Sequence, residues 1–373
     1  MKELKSERIK VDGLTELMEL FWENGWTDGQ PVVPPTEERV MEFMEYAQLE
    51  PDQVIGTAPE RDRVFTAEKV AINAVMAGCK PEYMPVVVAA VEAICDPDFK
   101  FNHLASLGSP FPLFVVNGPI AKQLKINHGM YLFGPAGHRA NATIGRAVSL
   151  FLWNCAEARP DGIQRGQWGN TIRSMCVIAE NEDETPWEPL HVQLGFKRNE
   201  STVTAISQTP PSPLTVHMNA TEPEWMCQVF GRTIAERSDF RKGTYLVIIA
   251  PAYAQDFAKA GWTNEDIKKA IVENCYRSMA DLKRRARWGR GAVFAPGFVG
   301  KPLVIEPGDE QQLVYLFKNQ PEINDVLFGP SELGRKCQIY VIVAGGDAGT
   351  MCAFVQPYGA STDPTTKRIK VPH

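Results

Sequence analysis

The sequence is short of several things at once, and each shortage removes a class of function. Its eight cysteines, at positions 79, 95, 155, 176, 227, 275, 337 and 352, form no Cys-x-x-Cys pair. That excludes a zinc ribbon and a disulfide framework, and it fits a reducing cytoplasm in which most thiols are small buried hydrophobes. The six histidines contain no i, i+4 pair, so a two-histidine helical metal motif is absent. No apolar run approaches the roughly 18–20 residues of a membrane span. The opening MKELKSERIKVDG is charged and has no apolar h-region, so no secretory signal is expected. No glycine-rich stretch has Walker or Rossmann spacing, so no nucleotide cofactor is evident. Basic excess is missing too: the net charge of -6 speaks against a general nucleic-acid binder. One basic run, DLKRRARWGRG (281–291), goes against this average and reads as a solvated helix end or an oligomer contact.

What is present is ordinary globular material. With 373 residues, 44% of them hydrophobic, the chain can bury two domains or one large two-lobed unit. Leu14, Leu17, Leu20 and Phe21 fall on one helical face, with Gly25 as a stop, and Thr36 is placed to cap a second helix. TAEKVAINAVMAGC (66–79) predicts a helix capped by Thr66. The stretch MPVVVAAVEAICD (84–96) is ambiguous, and its length and alanine content favour helix. PLFVVNGP (112–119) reads as a buried strand that ends in a turn, and SMCVIAEN, STVTAIS and PLTVHMN as short β pieces. After a helix around 223–236, strands at 244–251 and 337–346 flank one long helix over 263–286. The pattern predicts an α/β fold, two-lobed, with mixed sheets flanked by helices. The break is placed in the charged cluster AERSDFRKG (235–243), giving lobes 1–238 and 239–373.

The most informative stretch is FGPAGHRANATIGRA (133–147). Gly134 and Gly137 remove side chains where a ligand could approach the backbone. Asn141 is placed to cap the helix that follows, and His138, Arg139 and Arg146 arrive at its positive end. This is the physical recipe for holding a small carboxylate or phosphate. Cys79, in AGCKPEYMP, lies between two helices. The end of the first would raise its pKa, while the start of the second, with Lys80, would lower it. Cys352, after a glycine turn, is the second thiol of interest. A third cluster is acidic. Glu180, Glu182 and His191 could act as acid and base or hold a hard metal, although their spacing matches no metal signature and a solvated acidic turn would look the same.

Four of these stretches together resemble a known family. TDGQPVVPPT, EKVAINAVMAGCKPEYMPVVVAAVEA, GPAGHRANATIGRA and AENEDETPWEPLHVQLGF occur in the order seen in the large domain of the bacterial UGSC-type (seleno)protein family. The resemblance covers most of residues 10–205 and continues more weakly through YLVIIAPAYAQDFAKAGWTNEDIKKAI and IYVIVAGGDAGTMCAF. It implies thiol- or selenol-linked redox chemistry on a small molecule, and it marks Glu68, Lys69, Asn73, Cys79, Arg139 and Asn141 as lying in the shared motifs. The family's Sec/Cys-Gly-Ser-Cys motif is absent here, so a separate thiol or selenol protein would have to supply it. The chain also departs from the family where PAYAQ and GTMC replace histidine-bearing segments.

The combined expectation is a cytoplasmic homo-oligomeric enzyme acting on a small anion. Lys69, Asn73, Gly137, Arg139, Asn141 and Arg146 would bind it, Cys79 would be the nucleophile or redox thiol, and Glu68 or His138 would carry protons. The pocket is expected where the 133–146 loop meets the Cys79 junction, with help from the 345–358 loop. The rival readings are a metal-assisted lyase or hydrolase built on Glu180, Glu182 and His191, and a non-catalytic binding subunit of a two-component system.

Overall fold

A computed structural model describes residues 2–106, 108–134, 137–160, 162–173, 175–210, 213–217, 220–238, 243–285, 304–318, 337–347, 351–358 and 364–372. Helix α1 (Leu14–Glu23) ends at Asn24, and Gly25 turns the chain with φ +65°. Helix α2 (Glu37–Tyr46) begins as expected, with the Thr36 side chain accepting from Arg39 N. A hairpin of β1 (Val54–Ala58) and β2 (Arg63–Thr66) leads into α3 (Ala67–Met76). Thr66 stands at the N-cap of α3, yet its side chain makes no capping bond. The valine-rich stretch is helix α4 (Met84–Ile94), buried along nearly its whole length. Alanine at three of its eleven positions and Pro85 in its first turn favour helix over the β preference of Val86–Val88.

Two four-stranded mixed sheets follow. The first contains β3 (Phe111–Asn117), β4 (Val177–Ala179), β5 (Thr202–Gln208) and β12 (Thr365–Arg368), in the order β12-β5-β3-β4. Strands β3 and β4 are parallel, while β5 runs antiparallel to β3 and to β12. The chain between β3 and β4 forms α5 (Pro119–Gln123) and α6 (Arg139–Cys155), and α7 (Leu190–Gln193) is a single turn after β4. The second sheet contains β6 (Leu214–His217), β7 (Thr244–Ile249), β10 (Gln338–Val343) and β11 (Met351–Val355), in the order β10-β7-β11-β6. Here β10 and β7 are parallel and β11 is antiparallel to both its neighbours. Helices α8 (Pro223–Arg237), α9 (Pro251–Lys259) and α10 (Asn264–Asn274) belong with this sheet.

Side-chain alternation sorts these elements into four layers. On the first sheet, Phe114, Val116, Val177 and Val203 pack against α3, α4 and α6. On the second, Tyr245, Val247, Val341 and Phe354 pack against α8, α9 and α10. The opposite faces meet in one apolar seam of Leu113, Val115, Ile178 and Ile206 against Leu246, Ile248, Ile342 and Val355. The order is therefore helices, sheet, sheet, helices, which is an α/β architecture of mixed sheets flanked by helices.

Each sheet draws strands or helices from both sides of the 238/239 break. Strand β6 and helix α8 already belong with the second sheet, and β12 returns to the first, because pairing partners are chosen across the whole chain. The long helix expected over 263–286 is broken. It ends at Asn274, a strand β8 (Tyr276–Ser278) pairs with β9 (Leu313–Tyr315), and α11 (Met279–Arg284) follows. Long-range pairing outweighs the local helical period there. Within the basic run, Asp281 pairs with Arg277 and Arg285, and Arg284 with Glu310. The run from 286 onward lies outside the described residues. Among the described residues, no helix is long and apolar enough to cross a membrane.

Candidate functional site

The parallel strands bring their C-terminal ends to one edge, where α/β folds place ligands. Asn117 closes β3, Glu180 follows β4, and the backbone N–H of Asn181 donates to Val343 O at the end of β10. The α6 N-terminus belongs to the same edge. Asn127 O accepts from Ala179 N, one residue before Glu180, while Asn127 N donates to Asn141 Oδ1 in the first turn of α6 (2.8 Å).

At this edge three residues expected as an alternative cluster do come together. The Asn117 amide donates from Nδ2 to Glu180 Oε2 (2.8 Å) and to Glu182 Oε1 (3.0 Å). Leu190 N donates to Glu180 Oε2 (2.7 Å) and Gly118 N to Glu182 Oε1 (2.6 Å). His191 lies on α7 with Nδ1 4.0 Å from Glu182 Oε1, and its Nε2 is 3.3 Å from Arg198 O. A carbonyl can only accept, so Nε2 is the donor toward it. Glu180 and His191 are both buried. Burial pushes the Glu180 carboxyl up to about 8, and the neighbouring Glu182 charge adds to this. The bonds from Leu190 and Asn117, with the nearby Val343 backbone, oppose it without cancelling it. Glu180 is therefore largely protonated at neutral pH. Its Oε1, with Asn117 Oδ1, His191 Nδ1 and Thr202 Oγ1, is a buried atom with no hydrogen-bond partner.

The strand face does not produce this meeting, since β4 stops at Ala179. Asn117, contributed by the next strand, joins the two carboxylates. Sequence reading missed Asn117, Gly118, Leu190 and Thr202. The available signal was a polar Asn-Gly directly after the apolar run PLFVV. Among the described residues, no group of three or more His, Cys, Asp or Glu is placed to hold a metal ion.

The glycine loop is partly as expected. His138 is the N-cap of α6, and no side chain caps that end. Asn141 is therefore not the cap. It lies inside the first turn, where its amide bonds Asn127 and donates to Val177 O (2.9 Å), tying helix to strand. Gly137 has φ +82°, and a Cβ there would meet nothing within 4 Å, so backbone conformation requires the glycine. Arg139 does meet the Cys79 junction, donating from Nε and Nη2 to Gly78 O (3.3 and 3.0 Å). Pro135 and Ala136 lie outside the described residues. From the 345–358 loop, Gly345 N donates to His128 O.

The other expected site residues have structural work. Arg146 is bound to Asp28, with further bonds to Gln30 O and Pro31 O, so it cannot clamp a substrate. Glu68 stands at the opposite end of α3 from Cys79, about 15 Å away at 1.5 Å per residue. Its carboxylate accepts from Lys5 N, Ser6 N and the Ser6 hydroxyl. Burial raises its pKa, but the Ser6 and Lys5 bonds outweigh that and leave it below the ordinary value, unsuited to carrying protons at neutral pH. Lys69 reaches Ser6 Oγ, and Asn73 is buried between Lys69 O, Cys155 Sγ and the Asn154 amide.

Cys79 is buried, and desolvation pushes its thiol up to about 12 despite a bond with Thr143 and the Arg139 charge. Burial does the same at Cys352, also to about 12. The thiolate is the reactive form, so neither sulfur is poised as a nucleophile. Cys95, Cys155, Cys176, Cys227 and Cys275 are raised by burial too.

A cleft of about 450 Å³ is lined by Trp187, Glu188, Gln193, Arg198, Glu265 and Lys268 among others. Its cations are matched by Arg198–Glu188 and Lys268–Glu265 pairs. Arg139 has no carboxylate within 4 Å among the described residues, and its guanidinium is held by Gly78 O. No protein-family model matches this chain, and no curated protein matches it.

Proposed function

We propose that the chain is an enzyme that moves a proton on a small anionic substrate. The observation that carries this is the buried Glu180 carboxyl, held through one oxygen by Asn117 and Leu190 with the other left unpartnered, in surroundings that push it toward the protonated form. A carboxyl in that state can donate a proton near pH 7 and take it back. In this reading Glu182, the partly exposed member of the cluster, passes the proton toward solvent, with the buried His191 beside it. The substrate's carboxylate or phosphate is held at the α6 N-terminus by Arg139, His138 and the backbone after Gly137. This favours lyase or isomerase-type proton transfer over thiol chemistry within the chain. The enzyme acts in the cytoplasm, where eight free cysteines suit a reducing environment, and it works as a homo-oligomer.

The test uses the purified chain with a panel of short carboxylic acids in deuterated buffer, read by proton NMR. The wild type is expected to exchange a C–H beside the carboxylate, or to convert one acid, with the rate lost in Glu180→Gln and reduced in Arg139→Ala. Equal rates in Glu180→Gln would overturn the reading. Saturable binding without exchange or product would favour the binding-subunit reading instead.

A second reading keeps the redox chemistry but moves it to a partner. Burial raises seven of the chain's own thiols, so a thiol or selenol used here would be supplied by a separate small protein.

A further inference from the structure

The opposite end of the β3–β5 ladder, about 20 Å from Glu180 along the strand, carries polar groups that the proposed reaction does not use. Ser109 precedes β3 with φ +51°, a conformation that a serine holds only under constraint. It is buried, and its Oγ has no hydrogen-bond partner. That hydroxyl lies where a Cβ on Gly166 would be, only 1.7 Å from the position it would take, so glycine leaves room for it. Gln208 is fully buried with both amide atoms unpartnered, and the Thr209 hydroxyl is buried and unpartnered as well. Natural proteins rarely leave an amide in that state unless a water or ligand completes it.

These groups converge. Phe111 stands opposite Gln208 in the ladder, and opposed residues share a sheet face. The Arg173 guanidinium covers the Phe111 ring at 5.1 Å. Asn170 donates to Ser109 O, bringing the Arg173 segment against Ser109. Arg173 donates to Ala158 O and has no carboxylate within 4 Å among the described residues. Asp28, already bound to Arg146, acts on the guanidinium only at a distance, and the neighbouring segments carry two hydroxyls and an amide that lack partners, so the set is incomplete on the protein's side.

We propose that Arg173, Ser109, Gln208 and Thr209 form a second binding site, for a small carboxylate bearing a neighbouring hydroxyl. The guanidinium fork and the hydroxyls donate to the carboxylate oxygens. Gln208 Oε1 can only accept, so it requires a donor on the ligand, which the hydroxyl supplies. This site does not depend on the reaction assigned to Glu180.

The experiment titrates the full chain with glycolate, acetate and inorganic phosphate at constant ionic strength, by calorimetry and thermal shift. Glycolate is expected to bind saturably and raise Tm, with acetate at least tenfold weaker and phosphate weaker still. Gln208→Met and Arg173→Lys are expected to lose glycolate binding at least tenfold. Gln208→Met should fold as well as wild type, because methionine fills the same space without an unpartnered amide. Glu180→Gln is expected to keep full glycolate binding, which separates this site from the proposed catalytic one. The proposal is overturned if no carboxylate binds beyond a chloride control or if phosphate binds best. It is also overturned if Gln208→Met binds glycolate like wild type, or if Glu180→Gln alone abolishes binding.

Discussion

Replacing Glu180 by glutamine gives a sharp stability test of the buried carboxyl. In the unfolded chain the group titrates near its ordinary value of 4.5, and in the folded chain near 8. Between those values the folded state keeps a proton that the unfolded state has lost. Stability must therefore fall as pH rises through this window, by about 1.4 kcal/mol per pH unit for one group. The whole window corresponds to roughly 5 kcal/mol, and the stretch from pH 5.5 to 7.5 to about 3 kcal/mol. Glutamine imitates the protonated form. Its carbonyl can take the place of Oε2 and accept from Asn117 and Leu190, and its NH₂ then occupies the Oε1 position, which has no partner in the wild type either. Below pH 5 the two proteins should have similar stability. By pH 8 the variant should be more stable by several kcal/mol. Urea unfolding of both proteins, at closely spaced pH values from 5 to 9, reads the difference directly, since all other titrating groups cancel. Parallel curves would mean that Glu180 ionises near its ordinary pKa and would refute the reasoning behind its proton-holding role.

Other consequences can be checked separately. Brief alkylation of the native protein at pH 7, followed by peptide mass analysis, should leave Cys79, Cys176 and Cys352 unlabelled, since burial holds each near 12; early labelling of Cys79 would restore the thiol reading. Asp28→Asn should cost about 3 kcal/mol at neutral pH by stranding the poorly exposed Arg146. Burial raises the Asp28 pKa, but Arg146 outweighs it and leaves the carboxyl below 3.8, so the wild-type advantage is present above that pH and disappears as acid protonates the group. An equal cost at pH 2 would contradict the charge argument. Gly118→Ala should destabilise by about 3 kcal/mol or more, because φ is +85° and the new Cβ would lie 2.3 Å from Glu200 O; chemical denaturation at neutral pH measures it.

Local signals were legible where one element decides its own conformation. The apolar period located α1, the Thr36 cap located α2, and the uninterrupted run PLFVV located β3. The failures share a cause. Asn141 has the right chemistry for a cap, but the helix begins two residues earlier and the amide is taken by Asn127 and Val177, neither of them adjacent in sequence. The long helix over 263–286 was broken by β9, a strand whose partner cannot be read from the helical period alone. At the site, Glu180, Glu182 and His191 were visible as residue types. Their union was not, because Asn117 joins them from β3, more than sixty positions away. Cys79 failed for a related reason: its helix ends were read correctly, while desolvation, the larger influence, depends on the packed core around it.

The register of β3 against β5 explains why both proposed sites lie at the ends of one ladder. Leu113 opposes Ile206 in the middle, where the two sheets meet as an apolar seam, while Asn117 opposes Thr202 at one end and Phe111 opposes Gln208 at the other. A ladder selected for stability alone would carry apolar side chains at Thr202 and Gln208, since an unpartnered buried hydroxyl or amide costs about 1–3 kcal/mol. Thr202→Val tests this at the Glu180 end. Valine has nearly the same shape, and the lost hydroxyl has no partner, so stability at pH 7 should stay equal or rise by up to about 1 kcal/mol. If Thr202 belongs to the reacting cluster, the same variant should slow the exchange reaction while unfolding later in urea. A variant that loses stability would show instead that the hydroxyl has a structural partner such as a fixed water. The polar ends of the ladder would then be part of the fold rather than sites bought at its expense.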